Sequence, residues 1–67
     1  MIMKKHDIME LTVLKKHETE KAILVQNLKQ KDVWIPKSQI EIDSEDEETS
    51  MIDIQIPEWL AIDKELL

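Results

Sequence analysis

The chain predicts a small, mainly β domain: a curled five-stranded antiparallel sheet, or a small barrel, with a C-terminal α-helix. Three observations carry this. Ile52-Asp53-Ile54-Gln55-Ile56 alternates apolar and polar residues without a fault, with a β-branched side chain at every inward position. Ile40-Glu41-Ile42-Asp43 repeats the alternation over a shorter length. A period of two marks a strand buried on one face. Between the two runs, Ser44 to Ser50 contains no apolar residue, so they read as a hairpin around an acidic loop at 44–50. With 67 residues, a single domain is the ceiling.

Taken in order, Met9-Glu10-Leu11-Thr12-Val13 places a first strand at about 8–14, interrupted by the polar run Lys15 to Glu20. Ala22-Ile23-Leu24-Val25 lies in a second strand at about 21–27. A continuous apolar run suits a strand buried on both faces, or one whose second face meets a helix. After a polar break at Lys29 to Asp32, Val33-Trp34-Ile35 gives a third strand at about 32–35 and completes a meander. The rival is helical, because residues 3–31 are rich in Lys, Glu, Leu and Met. The stripe Ile8, Leu11, Leu14 is broken by Lys15 and Glu18, which favours strands. The chain has no glycine, so the positive-φ positions of its hairpins fall to Asn27, Asp32, His17 or longer loops.

Pro36 ends the third strand, since it lacks the amide donor a central strand needs. Lys37-Ser38-Gln39 then makes a tight or 3₁₀ turn. The hairpin strands follow at about 39–43 and 51–56. A helix at about 57–66 closes the chain: Pro57 suits its first position, Glu58 favours the positive end of the dipole and Lys64 the negative end. Trp59, Ile62 and Leu66 form one apolar helical face expected to lie on the sheet.

Composition narrows the function. There is no cysteine, hence no disulfide, thiolate zinc site or thiol nucleophile. Every basic residue except the two histidines is lysine, so no guanidinium fork reads phosphate or guanine. No apolar run approaches the roughly 20 residues that span a bilayer, and Met1-Ile2-Met3-Lys4-Lys5 lacks the features of a secretory signal. A soluble cytoplasmic protein without membrane association is expected. A chain of this size buries only about 60% of its unfolded surface, which disfavours a cleft with a buried catalytic apparatus. Ser38 and Ser44 have no histidine at motif spacing, and no glycine-rich phosphate loop exists. No catalytic residues, cofactor or enzyme activity are expected.

The acidic run fails as a calcium loop. Counted from Asp43, the sixth position is Glu48 where glycine is needed, and the twelfth is Ile54 where a bidentate glutamate is needed. His6 and His17, with Asp7 and Glu18 beside them, have no known zinc-ligand spacing. No metal site is expected.

Charge is the informative feature. The net charge is −6, yet residues 1–37 hold eight Lys against five acids and residues 38–67 hold Lys64 alone against ten. An extended acidic segment can imitate a phosphate backbone and occupy the basic groove of a nucleic-acid-binding protein. The residues expected to carry such a contact are Glu41, Asp43, Glu45, Asp46, Glu47 and Glu48, with Trp59 as an apolar anchor. The plain alternative is a solubilising loop, as net charges of this size are ordinary. A second functional reading is a single-stranded nucleic-acid-binding accessory protein that stacks bases on Trp34 and contacts phosphate through the Lys-rich half. The absence of arginine, the negative net charge and the lack of an aromatic run on a strand weigh against it, and favour tryptophans that fill or cover the core. A third is a homodimer whose marginal core is completed across an interface.

Two patches resemble known families. Val33-Trp34-Ile35-Pro36-Lys37-Ser38-Gln39-Ile40, followed by Ile56-Pro57-Glu58-Trp59-Leu60-Ala61, resembles a group of small, uncharacterised proteins of phages and other mobile elements. The resemblance spans residues 33–62 and implies a setting, the cytoplasm of a phage host, and no activity. Ile35-Pro36-Lys37-Ser38-Gln39-Ile40 also resembles the segment joining the last two strands of SH3-like barrels through a 3₁₀ turn. In that family a Pro and a Tyr line the groove for proline-rich peptides; Gln39 stands here in place of the Tyr, and the aromatic-rich first strand is missing.

Overall fold

The computed structural model describes residues 7–67. Five strands form one antiparallel sheet: β1 (Ile8–Glu18), β2 (Ala22–Gln26), β3 (Asp32–Pro36), β4 (Glu41–Asp46) and β5 (Met51–Pro57). Their spatial order is β3-β2-β1-β5-β4, so the meander and the second hairpin both stand as expected. A 3₁₀ turn, Lys37–Gln39, lies between β3 and β4, and a short helix α1 (Glu58–Asp63) follows β5. Among these residues no helix is long and apolar enough to cross a membrane.

β1 is the shared element. Its first half, Ile8 to Leu14, pairs with β5; its second half, from Leu14 to Glu18, pairs with β2. The strand extends beyond the expected end at 14 because a register shift between Lys15 and His17 absorbs the polar run as a bulge, which bends the strand. The two hairpins thus hang on different halves of one bent strand and curl the sheet. It remains open: β3 and β4 are its two edges and do not pair with each other. The 3₁₀ turn therefore joins two opposite edges. The 3₁₀ turn expected at Lys37–Gln39 is present, and it joins the third strand to the fourth rather than the last two strands.

The concave face holds the core. Ile52, Ile54 and Ile56 of β5 are 0–1% exposed and lie against Val13, Leu11 and Met9 of β1 in register. Ile23, Val25 and Ile35 complete the sheet's share, with Leu11, Val33, Ile40 and Ile42 packed at the margin. In β2 the apolar run is sorted by the strand period: Ile23 and Val25 are buried, while Ala22 and Leu24 are half-buried on the outer face.

The C-terminus differs from its expected form. The helix ends at Asp63, and the tail turns through Glu65 (φ 61°), where the Leu66 N–H donates to the Ala61 carbonyl (2.8 Å) and the Glu65 N–H to that of Ile62 (3.1 Å). This is a Schellman motif with a glutamate at the position usually held by glycine. It swings Leu66 into the core beside Leu60 and Ala61. Trp59 and Ile62, placed by helical periodicity on the buried face, are instead 53% and 58% exposed. The early helix stop rotates Leu66 off the Trp59–Ile62 stripe and lets Leu60 and Ala61 supply the inward face. Trp34 is 45% exposed. Neither tryptophan fills the core.

Positive φ among the described residues falls at Gln30, Ser50 and Glu65, not at Asn27, Asp32 or His17. Asn27 has a different task. Buried at 6% exposure, it accepts the N–H groups of Lys29 and Lys31 (both 2.9 Å) on its Oδ1. Its Nδ2 donates to the Lys64 carbonyl (3.1 Å). The β2–β3 turn and the C-terminal tail are stitched together through this one amide and the Leu28 N–H, which donates to the Glu65 carbonyl at 3.1 Å.

Candidate functional site: an acidic sheet face

The acidic segment is more ordered than a loop. Glu41 to Asp46 belong to β4, and only residues 47–50 form the turn. The expected loop at 44–50 is shortened because Ser44, Glu45 and Asp46 continue the ladder opposite Asp53, Ile52 and Met51. Ser50, at φ 65°, donates its N–H to the Asp46 carbonyl (2.8 Å) and closes the turn. Asp46 caps it from within, its Oδ1 accepting the N–H groups of Glu48 (3.0 Å) and Thr49 (3.4 Å).

Register sets which carboxylates share a face. On the outer face of β1-β5-β4 the cross-strand rows are Glu10, Gln55, Glu41; then Thr12, Asp53, Ser44; then Leu14, Met51, Asp46. Strand geometry spaces such rows about 6.7 Å apart along the chain. Asp43 sits at the register shift between Ile42 and Ser44 and is an added residue on β4. Its carboxylate accepts from the Gln55 Nε2 at 3.0 and 3.3 Å, which keeps it on the same face. Asp53 accepts the hydroxyls of Thr12 (2.6 Å) and Ser44 (2.8 Å), tying three strands together. Those two hydroxyls hold its carboxyl below the usual range. Glu10, Glu41, Asp43, Asp46 and Asp53 thus form one panel with no lysine in its rows, and Glu47 and Glu48 extend it at the turn.

Glu45 does not belong to this panel. It lies opposite inward-facing Ile52 and pairs with Lys15 of β1 at 2.8 Å. Lys15 also pairs with Glu18 at 2.9 Å, and Glu18 pairs with Lys37 of the 3₁₀ turn. This chain of ion pairs links β4, β1 and the 3₁₀ turn, which are not neighbours in the sheet. Trp59 stands apart as well, on the helix that follows the far end of β5 from the turn. Of the residues expected to act together, the structure groups Glu41, Asp43, Asp46, Glu47 and Glu48 and leaves Glu45 and Trp59 elsewhere. Sequence reasoning missed Glu10 and Asp53. Both sit at outward positions of alternating strands, a legible signal, but the pairing of β1 with β5 that unites them is not.

The ion chain makes a pH prediction. Its hydrogen bonds to Lys37 and then Lys15 draw the Glu18 carboxyl from 4.5 to about 2. A folded-state value below the unfolded one means the stabilisation is complete above about pH 4.5 and vanishes as pH falls through about 2. Asp53 acts in the same direction at acid pH. Lys15, raised by its hydrogen bonds to Glu45 and Glu18, contributes stability that is full below 10.5 and is lost as pH climbs through its higher folded value. The urea midpoint should therefore fall on acidification below about pH 4.5. Glu18→Gln should lower the midpoint at neutral pH and flatten that acid slope; an unchanged slope would show that Glu18 is not its source.

The remaining polar candidates are dispersed. His17 lies within β1, not in a turn, and its ring meets Trp34 edge-on (centroids 6.2 Å apart, planes at 83°). His6, Lys4 and Lys5 lie outside the described residues. Ser38 lines a shallow cleft of about 330 Å³ with Ile8, Gln39, Ile40, Glu41 and Gln55. Among the described residues, no three His, Asp or Glu side chains converge as a metal ion requires. Comparison of the chain with protein-family models, curated proteins and solved structures yields no match.

Proposed function

We propose that this protein is a non-enzymatic binding protein, acting in the cytoplasm of a phage-bearing host, that captures a host or phage protein through an acidic, nucleic-acid-mimicking face. The observation that carries this reading is the panel itself: four carboxylates in regular cross-strand rows, a fifth (Asp43) at the β4 register shift, two more at the adjoining turn, and no lysine among them. A rigid sheet presents these charges without the ordering cost a flexible acidic tail would incur on binding. The partner of matching chemistry is a protein with a basic groove that ordinarily holds nucleic acid, attracted by the counterion release that drives DNA association. The likeness of residues 33–62 to mobile-element proteins supplies the setting.

The test is competitive capture. Immobilised protein is exposed to a lysate of the host, and retained proteins are challenged with duplex DNA. Retained proteins should be released by the DNA and by rising salt. A variant carrying Glu10→Lys, Glu41→Lys, Glu47→Lys and Glu48→Lys, all at exposed positions, should keep its circular dichroism and lose capture at least about tenfold. Equal capture by this variant would end the proposal.

Exposed Trp34 beside His17 supports a second reading, the single-stranded nucleic-acid-binding accessory. A salt-dependent change of tryptophan fluorescence on adding single-stranded DNA belongs to that reading alone.

A further inference from the structure

We infer that the outward face of α1 is the contact surface of a two-fold homodimer. The helix is apolar on both sides. Leu60 and Ala61 enter the core, whereas Trp59 and Ile62 point away from it with more than half of their surface exposed. A helix with apolar residues on two opposite sides is ordinarily covered on both. The surface continues into the β2–β3 turn and the tail: Leu28 is 67% exposed and Leu67 is 47%. The Leu28 N–H to Glu65 carbonyl bond, the Asn27 to Lys64 bond and the Lys29–Glu65 ion pair (2.9 Å) hold these segments to one corner of the molecule.

Three arguments name the occupant as a second copy. The first is charge. The patch is rimmed by Glu58, Asp63 and Glu65 and by Lys29 and Lys64, so both signs are present. Lys29 already answers Glu65 within the copy (2.9 Å), and a two-fold axis across the helix sets Lys64 of each copy against Glu58 of the other. The second is placement. The turn at 47–50 lies at the opposite end of β5 from α1, so pairing through α1 keeps the acidic turns of two −6 chains apart. The third is area. Trp59, Ile62, Leu28 and Leu67 leave on the order of 400 Å² of apolar surface exposed per copy, and with the rim a dimer would bury about 1,000 Å², the lower bound for a specific interface. An interface at this lower bound makes a weak, reversible dimer.

Sedimentation equilibrium of the full chain from about 5 µM to about 1 mM tests this. The mass should rise from 7.9 kDa towards twice that value, and acrylamide quenching of Trp59, read in a Trp34→Phe background, should fall in step. Ile62→Glu should remain monomeric throughout with unchanged circular dichroism, and Ile62→Leu should dimerise. If Ile62→Glu unfolds, Trp59→Gln takes its place with the same expectation. A chain monomeric at every concentration overturns the proposal and leaves the face to a foreign protein. A rise in mass without protection of Trp59, or dimerisation of the folded charged variant, puts the contact elsewhere and overturns it equally.

Discussion

Ile54→Ala should cost about 3–4 kcal/mol and bring the protein close to unfolding at room temperature. Ile54 is fully buried at the centre of β5 and stands in register between Leu11 of β1 and Ile42 of β4. Truncation removes apolar contact on three strands at once. The backbone on both sides is locked by ladder hydrogen bonds, so the cavity has little room to collapse. A 67-residue domain holds in total roughly 3–10 kcal/mol, and this one mutation consumes much of it. Ile54→Val, which keeps the branch and loses one methyl, should cost about 1 kcal/mol. Gln55→Ala, one residue on but facing outward, should cost under about 0.5 kcal/mol beyond its bond to Asp43. Urea unfolding of the three variants checks the order; equal losses at positions 54 and 55 would mean that β5 does not divide core from solvent as described.

That division is what the sequence made readable. The faultless alternation of residues 52–56 has one explanation, and the structure buries Ile52, Ile54 and Ile56 together. The 3₁₀ turn after Pro36 was legible for a similar reason, since proline fixes its own φ and removes a donor. What escaped depends on partners distant in sequence. β1 runs on through Lys15 and Glu18 because β2 pairs with its second half and because Lys37 and Glu45 neutralise charges that local pattern treats as a break. The acidic loop shortens because Asp53 and Met51 offer a ladder to Ser44 and Asp46. The acidic face needed the β1–β5 pairing to bring Glu10 beside Gln55 and Glu41, and no local spacing encodes which strands become neighbours. The helix misled for the opposite reason: its stripe Trp59, Ile62, Leu66 obeys a period that the chain abandons after Asp63.

The second large effect is expected at Asn27, whose buried side-chain amide ties the β2–β3 turn to the tail. Asn27→Ala should destabilise by about 2–4 kcal/mol, although it removes only one small side chain. The amide satisfies two turn N–H groups, of Lys29 and Lys31, and one tail carbonyl, of Lys64, from a site almost closed to water. Deletion leaves all three without that partner, each costing on the order of 1 kcal/mol as water reaches them incompletely. It also frees the tail that seats Leu66 in the core. Asn27→Asp separates the two functions, since a carboxylate still accepts from Lys29 and Lys31 but cannot donate to the Lys64 carbonyl. Its loss should fall between wild type and alanine, and hydrogen exchange should show the tail amide of Leu66 exposed while the Lys31 amide stays protected. If aspartate proves as stable as asparagine, the tail is not held by this bond. The seating of Leu66 must then rest on the Leu28 and Lys29 contacts to Glu65 and on the Schellman turn there, whose Leu66-to-Ala61 bond is internal to the C-terminal segment and makes no use of the β2–β3 turn.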